Sequence, residues 1–183
     1  MEKKKALCLF SGGLDSILVV KILESQGIEP LAVQFISPFF GSDYLKDANA
    51  LVAQADRRWG ISLRVVDITD DYFPMLRAPC HGYGKNFNPC IDCKILMVTK
   101  AKEMMSALGA QFIATGEVIG QRPMSQRRDT MRIVERDAGV DGLLLRPLSA
   151  KLMSEIAAEE AGIVNRAGLF GFSGRGRNAQ ISL

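Results

Sequence analysis

No apolar run in this chain approaches membrane-spanning length, so a spanning helix is not expected. The start, Met1-Glu2-Lys3-Lys4-Lys5, is basic, but the apolar stretch behind it is too short for a signal peptide and no cleavage site follows. We therefore expect a cytoplasmic protein with no membrane partner. No internal repeat is visible. Neither sign of charge dominates: 23 Lys and Arg against 20 Asp and Glu leave a net charge of +3, too mild to argue for nucleic acid by itself. There are four cysteines, Cys8, Cys80, Cys90 and Cys93. In a cytosolic α/β protein these are expected to be buried, catalytic or metal-binding rather than disulfide-bonded. Cys8 lies in an apolar run and reads as core packing.

What is present is a full complement for one domain. The 183 residues allow a complete core, and the hydrophobic (48%) and charged (23%) fractions are those of an ordinary globular protein. The chain is organised around Lys5-Ala6-Leu7-Cys8-Leu9-Phe10-Ser11-Gly12-Gly13-Leu14-Asp15-Ser16. An apolar run stops at Ser-Gly-Gly and passes straight into an amphipathic segment: strand, tight loop, helix start. Such a loop aims backbone N–H groups and a helix N-terminus at one point, where a phosphate would sit. It is not a Walker A loop, because no Gly-Lys-Ser/Thr follows.

The spacing predicts strands at 5–10, 30–36, 61–68, 110–115 and 143–145, with helices at 14–26, 43–59 and 90–108. Further helices are predicted from a Ser125 cap to about 138 and from a Ser149 cap over 150–161. Gly27, Gly60 and Gly109 read as helix ends, and Asn88-Pro89 as the start of the third helix. Strand–helix alternation implies right-handed crossovers. We expect an α/β, doubly wound (Rossmann-like) sheet of five parallel strands, order 3-2-1-4-5, with helices on both faces. Residues 69–89 hold three prolines and the single histidine and read as a long irregular, functional loop. Residues 1–165 are expected to form the catalytic domain. Residues 166–183 read as a flexible or partner-facing Gly/Arg-rich tail, whose end from Asn178 resembles the start of a helix belonging to a longer chain.

In an open parallel sheet ligands bind at the carboxyl ends of the strands. Every suspicious loop lies at such an end. Ser11, Gly12, Gly13 and Ser16, flanked by Phe10 and Leu14, would hold phosphates. Asp15 repels phosphate directly, so its expected role is to hold Mg²⁺, which neutralises a pyrophosphate leaving group. Cys90 and Cys93 share the first turn of a helix, where the dipole favours thiolates. With Cys80 they could hold an iron–sulfur cluster such as [4Fe-4S], and with His81 a zinc ion. Alternatively they carry persulfide sulfur as a redox pair, or they are a structural pair. Arg122, Arg127, Arg128, Arg132 and Arg136 form either a solvated face or a phosphate-tracking patch for RNA.

Ser11-Gly12-Gly13-Leu14-Asp15-Ser16 resembles the signature loop of the PP-loop ATP pyrophosphatases, the adenine nucleotide alpha hydrolase-like superfamily, which cleave ATP between its α- and β-phosphates. Val33 to Phe40, Ala114 to Gln121 with Ser125-Gln126, and Arg146-Pro147-Leu148 are similar to segments of tRNA 4-thiouridine synthases. Residues 82–93, with Gly-Tyr-Gly-Lys-Asn before Asn-Pro-Cys-x-x-Cys, look like a compact thiouridylase-like group. Arg122-Pro123-Met124 makes the fourth-strand loop one residue longer than the family pattern. The resemblance implies Gln34 and Phe35 beside adenine, Gly116 and Gln126 on the nucleotide, and Lys94 near the phosphates. It implies a cytoplasmic tRNA-thiolating enzyme using ATP and Mg²⁺, with Asp15, Cys90 and Cys93 as catalytic groups. Expected partners are tRNA, a sulfur-donor protein or sulfide, and a second copy of the chain. Two other readings stay open: a PP-loop ligase with an amine nucleophile and a structural Cys-x-x-Cys, or a non-catalytic ATP-binding subunit.

Overall fold

Three consecutive buried residues with no polar alternation, Ala6, Leu7 and Cys8, make β1 (Lys5–Leu9) the middle of the sheet. The computed structural model describes residues 4–84 and 87–183. Met1 to Lys3 of the basic start, and Lys85 and Asn86 of the Gly82-to-Asn86 motif, lie outside the described residues. Beside β1 lie β2 (Glu29–Ile36) and β4 (Phe112–Thr115), and outside them β3 (Leu63–Asp67) and β5 (Leu144–Leu145). All four pairings are parallel and the order is β3-β2-β1-β4-β5, as expected from the sequence. Leu7 stands level with Leu31 on one side and Ile113 on the other.

Alternate residues of β1 feed two cores. Ala6 and Cys8 join Ala32, Ile36, Phe112 and Ala114 under α1 (Leu14–Ser25) and α2 (Ala48–Trp59). Leu7 joins Val33, Phe35 and Ile113 under α3 (Thr69–Arg77), α4 (Cys90–Leu108) and α5 (Arg128–Asp137). Burial pushes the Cys8 thiol far up, consistent with a core role. Gly60 closes α2 and Gly109 closes α4. No described helix is long and apolar enough to cross a membrane.

Several expected elements differ. Residues 69–77 are helix α3 rather than loop. Pro74 removes one intrahelical hydrogen bond, but Tyr72, Met75 and Leu76 pack on the second core and Asp70 and Asp71 favour the first turn. The second helix starts at Ala48, not 43, because the Asp47 carboxylate accepts the Ala50 amide at 3.2 Å. Residue 89 takes the cap position of α4, so Asn88 is not the cap. Ser125 does not cap α5; Arg127 precedes it, and residues 120–126 form a turn in which the Gly120 amide reaches the Gln126 carbonyl. The helix expected over 150–161 is a short 3-10 turn, Ala150–Leu152, followed by α6 (Ala157–Glu160). Ser149 does not cap it: its hydroxyl accepts from the Ile119 amide (3.1 Å) and donates to the Phe172 carbonyl (2.7 Å). The segment expected to be a flexible tail folds back on the domain instead. Leu169 is buried, Phe170 and Phe172 stack, and a last helix of four residues, α7 (Asn178–Ile181), packs on α1.

Candidate nucleotide and thiol site

At the carboxyl ends of β1, β2 and β4 the chain leaves a cleft of about 550 Å³. It is lined by Phe10, Ser11, Gly13, Leu14, Asp15 and Ser16 of the first loop, by Gln34 and Phe35 of β2, and by Cys90, Cys93 and Lys94 of α4. Gly116, Glu117, Arg122 and Gln126 from the β4 side complete it, with Arg177. Nearly every residue singled out in the sequence is thus in one place. Gly12 and Cys80 are outside the lining set.

The loop is built to present donors. The Ser16 hydroxyl donates to the Gly13 carbonyl (2.8 Å) and accepts from the Ser11 amide (3.3 Å), which folds the loop on itself. Gly12 has φ +72°, a conformation side chains rarely adopt. Gly13 caps α1 with no side-chain bond; the Ser16 amide turns back to the Gly13 carbonyl (3.0 Å), which leaves the first two amides of the helix, those of Leu14 and Asp15, to a ligand. A Cβ on Gly116 would stand 2.7 Å from the Asp15 carbonyl carbon, so the strand end presses directly on the loop.

Besides Glu117 Oε1, which faces Lys94 Nζ at 3.6 Å, three side-chain oxygens of the cleft are buried with no hydrogen-bond partner: Asp15 Oδ1, Gln34 Oε1 and Gln126 Oε1. Buried polar atoms are normally satisfied, so three in one cleft mark where a ligand bonds. The other oxygen of Asp15 accepts from Gln121 Nε2 at 3.1 Å and faces Arg177 Nη2 at 3.5 Å. A carboxylate with one free oxygen, beside a phosphate-presenting loop, fits a hard cation such as Mg²⁺.

Behind the cleft lies a buried ion network that sequence reasoning did not assign. Glu117 accepts from the Thr115 hydroxyl (3.1 Å) and from Arg146 Nε (3.2 Å), with Lys94 Nζ at 3.6 Å. Arg146, 2% exposed, also pairs with Glu135. Burial alone would raise the Glu117 pKa; Lys94, Arg146 and the Thr115 hydroxyl outweigh it and hold the carboxyl below the usual glutamate range. Lys94 therefore faces the cleft already partnered. The available signal was a single arginine inside the apolar stretch Leu143 to Leu148.

Cys90 and Cys93 reach the cleft from the first turn of α4. The expectation that the helix dipole would favour both thiolates fails for Cys93. Burial pushes its thiol up, and neither Lys94 nor the hydrogen bond from Tyr72 offsets this. Tyr72, packed against Phe39 and Phe40, is itself pushed up to about 12, by burial first and then by the neighbouring Cys93. Tyr72→Phe should raise the Cys93 thiol further and slow its alkylation by iodoacetamide at pH 8 by roughly threefold to fivefold. Peptide-resolved mass spectrometry reads this, and a faster rate would contradict it.

Cys80 is exposed. Its amide, with that of His81, is tied to the buried Asp92 carboxylate at 2.9 and 3.1 Å. The His81 ring bridges Asp92 (3.2 Å) and Asp137 (3.0 Å), joining this loop to α5. Among the described residues no group of three His, Cys, Asp or Glu side chains is gathered to hold a metal. Cys80 is thus not gathered with Cys90 and Cys93 into such a group among the described residues.

The arginines after β4 separate. Arg122 lines the cleft. Arg127 pairs with Asp129 and Arg136 with Asp137, at 2.7 and 2.6 Å. Arg128 and Arg132 line a second cavity of about 560 Å³ with Lys151.

The family model described as "Thiamine biosynthesis protein (ThiI)" matches residues 1–167. A tRNA sulfurtransferase of Desulfurococcus amylolyticus is 27% identical over 172 residues, covering 93% of this chain and 34% of that protein. A tRNA-specific 2-thiouridylase MnmA of Histophilus somni is 31% identical over 141 residues, covering 72% of this chain and 37% of the other. The chain thus spans about a third of the length of these curated relatives. The fold is shared with a 4-thiouridine synthetase whose crystal structure is an RNA complex with bound ATP. That match has a TM-score of 0.54 and 24% identity, covering 73% of this chain and 34% of that one. Taken with the loop after β1 and the cleft it forms, the match over residues 1–167 makes this chain a member of the thiamine biosynthesis protein (ThiI) family, within the PP-loop ATP pyrophosphatase superfamily.

Proposed function

We propose that the cleft binds ATP, adenylates a carbonyl oxygen of a uridine in tRNA with release of pyrophosphate, and then replaces AMP with sulfur through Cys90 and Cys93. The observation that carries this is the single cleft shared by the phosphate-presenting loop and the two thiols. The thiolating activities named for the relatives, and the ATP and RNA of the structural neighbour, support it.

Ser11, Gly13 and Ser16, with the first two amides of α1, bind the phosphates, while Gln34 and Gln126 offer their free oxygens to the nucleotide. Asp15 would hold Mg²⁺, which supplies charge neutralisation of the pyrophosphate leaving group. Adenylation is needed because a carbonyl oxygen leaves poorly and AMP leaves well.

For the sulfur step, Cys90 carries a persulfide from a protein donor. Its terminal sulfur attacks the activated carbon, and AMP departs with the electron pair of the C–O bond. Cys93 then loses its proton and attacks Cys90 Sγ. The thiocarbonyl base is freed, and a Cys90–Cys93 disulfide is left that a dithiol reductant resets. Burial keeps Cys93 protonated, which suits this later role. Arg128, Arg132 and Lys151, with no carboxylate partner among the described residues, give RNA phosphates a contact beside the cleft. The reaction belongs in the cytoplasm, where ATP and tRNA meet.

The test supplies ATP, bulk tRNA and a protein-bound persulfide to the full chain and reads thionucleoside by retardation in a mercury-containing gel. The native chain should form thionucleoside. Cys90→Ser should form none while still releasing pyrophosphate in a tRNA-dependent way. Equal thionucleoside formation by Cys90→Ser would overturn the role of the thiols.

A further inference from the structure

We propose that Arg177, carried by the segment after the family match, is a phosphate-binding residue of the nucleotide site; this rests on the reading that ATP occupies the cleft. Residues 168–183 lie beyond the region matched by the family model, yet they place a guanidinium among the loop residues of the cleft. Arg177 Nη2 stands 3.5 Å from Asp15 Oδ2. That is a long contact, and the side chain is 48% exposed, so most of its five N–H donors are unspent. Among the described residues Asp15 is its sole carboxylate partner.

The placement is constructed rather than incidental. A backbone ladder leads to it: the Phe170 amide donates to the Pro147 carbonyl (2.9 Å), that of Phe172 to Leu148 (2.7 Å) and that of Gly174 to Ile119 (2.7 Å). Those acceptors belong to the chain just beyond β5 and β4, so the segment is fastened to the sheet end that bears the cleft. Beyond Arg177, α7 packs on α1, the helix that begins at the phosphate loop, and Gln180 is 1% exposed. Arg177 is therefore held between two anchors on either side of the site.

Charge supplies the reason. The cleft must take a polyanion, and its lysine, Lys94, is already engaged by Glu117 at 3.6 Å. Arg122 and Arg177 are the remaining cations of the lining. Asp15 is the anion that Arg177 faces. When phosphates and a cation enter, Asp15 serves the cation, and Arg177 is released to the phosphate oxygens, for which its planar fork is better matched than for one distant carboxylate oxygen.

The test measures ATP and adenosine binding calorimetrically for the native chain, Arg177→Gln and Arg177→Lys, with thermal melts to verify folding. Arg177→Gln should weaken ATP binding about tenfold or more and leave adenosine binding unchanged, and Arg177→Lys should recover part of the loss. Equal weakening of ATP and adenosine would show a merely structural role and overturn the proposal. Unchanged or tighter ATP binding in Arg177→Gln would overturn it too, the latter revealing a plug instead of a ligand contact. A native chain that binds no ATP would overturn the nucleotide reading itself.

Discussion

Asp15→Asn should reduce ATP-dependent pyrophosphate release by about 10²-fold or more while leaving the fold intact. The substitution keeps the side-chain volume and removes only the charge. One carboxylate oxygen is buried and unpartnered; the other already has Gln121 and Arg177. The fold therefore does not depend on the negative charge, whereas a bound cation does. Steady-state pyrophosphate release, with a thermal melt of the same sample, separates the two effects. A melt within a few degrees of the native one together with near-native turnover would remove Asp15 from the mechanism. Loss of turnover at unchanged ATP affinity places the charge in the transition state, as expected for leaving-group neutralisation.

Arg146→Met should be the most destabilising single change in the site, by about 3–5 kcal/mol, or on the order of 10 °C in melting temperature. Arg146 is enclosed between Glu117 and Glu135, and its removal strands Glu117, whose only other cation among the described residues is Lys94 at 3.6 Å. The pH dependence gives a sharper test. In the native chain the Glu117 carboxyl is held below its ordinary range. It therefore contributes stability above the unfolded pKa, and this is lost as pH falls through the folded one. In Arg146→Met the carboxyl loses one of its cations and shifts upward from its native position, so the penalty relative to the native chain is full at pH 8 and shrinks toward pH 5. Urea melts of both proteins at the two pH values measure this. Adding Glu117→Gln should recover part of the loss at pH 8, and a double variant no better than the single would contradict the pairing.

What the sequence made legible follows from how local each signal is. The strand, glycine loop and helix around Ser11 to Ser16 are contiguous, and buried parallel strands declare themselves by unbroken apolar runs. Right-handed crossovers fixed much of the sheet topology, and the gathering of loops at one end followed from the strands being parallel. The cysteine pair was visible because both members sit in one helical turn. Failures came where distant chain decided the outcome. Helix α3 forms despite Pro74 because Tyr72, Met75 and Leu76 have a core to enter. Ser149 resembles a cap in sequence, yet Ile119 and Phe172 claim its hydroxyl. The Glu117–Arg146 pair joins the ends of two neighbouring strands, and no local spacing reports it. Arg177 was read as part of a tail because glycine and arginine suggest mobility; the carbonyls that fasten the segment before it, Leu148 for the Phe172 amide and Ile119 for that of Gly174, lie far upstream. Cys80 was grouped with Cys90 and Cys93 by composition, whereas Asp92 and Asp137 hold its neighbour His81 in a different arrangement.

The central claim is that this cleft cleaves ATP between the α- and β-phosphates to activate an RNA base. Its most direct test is the identity of the products when the full chain is given ATP, Mg²⁺ and bulk tRNA. The account predicts AMP and pyrophosphate in equal amounts, formed only when tRNA is present. ADP and phosphate, or tight ATP binding with no AMP produced, would contradict it.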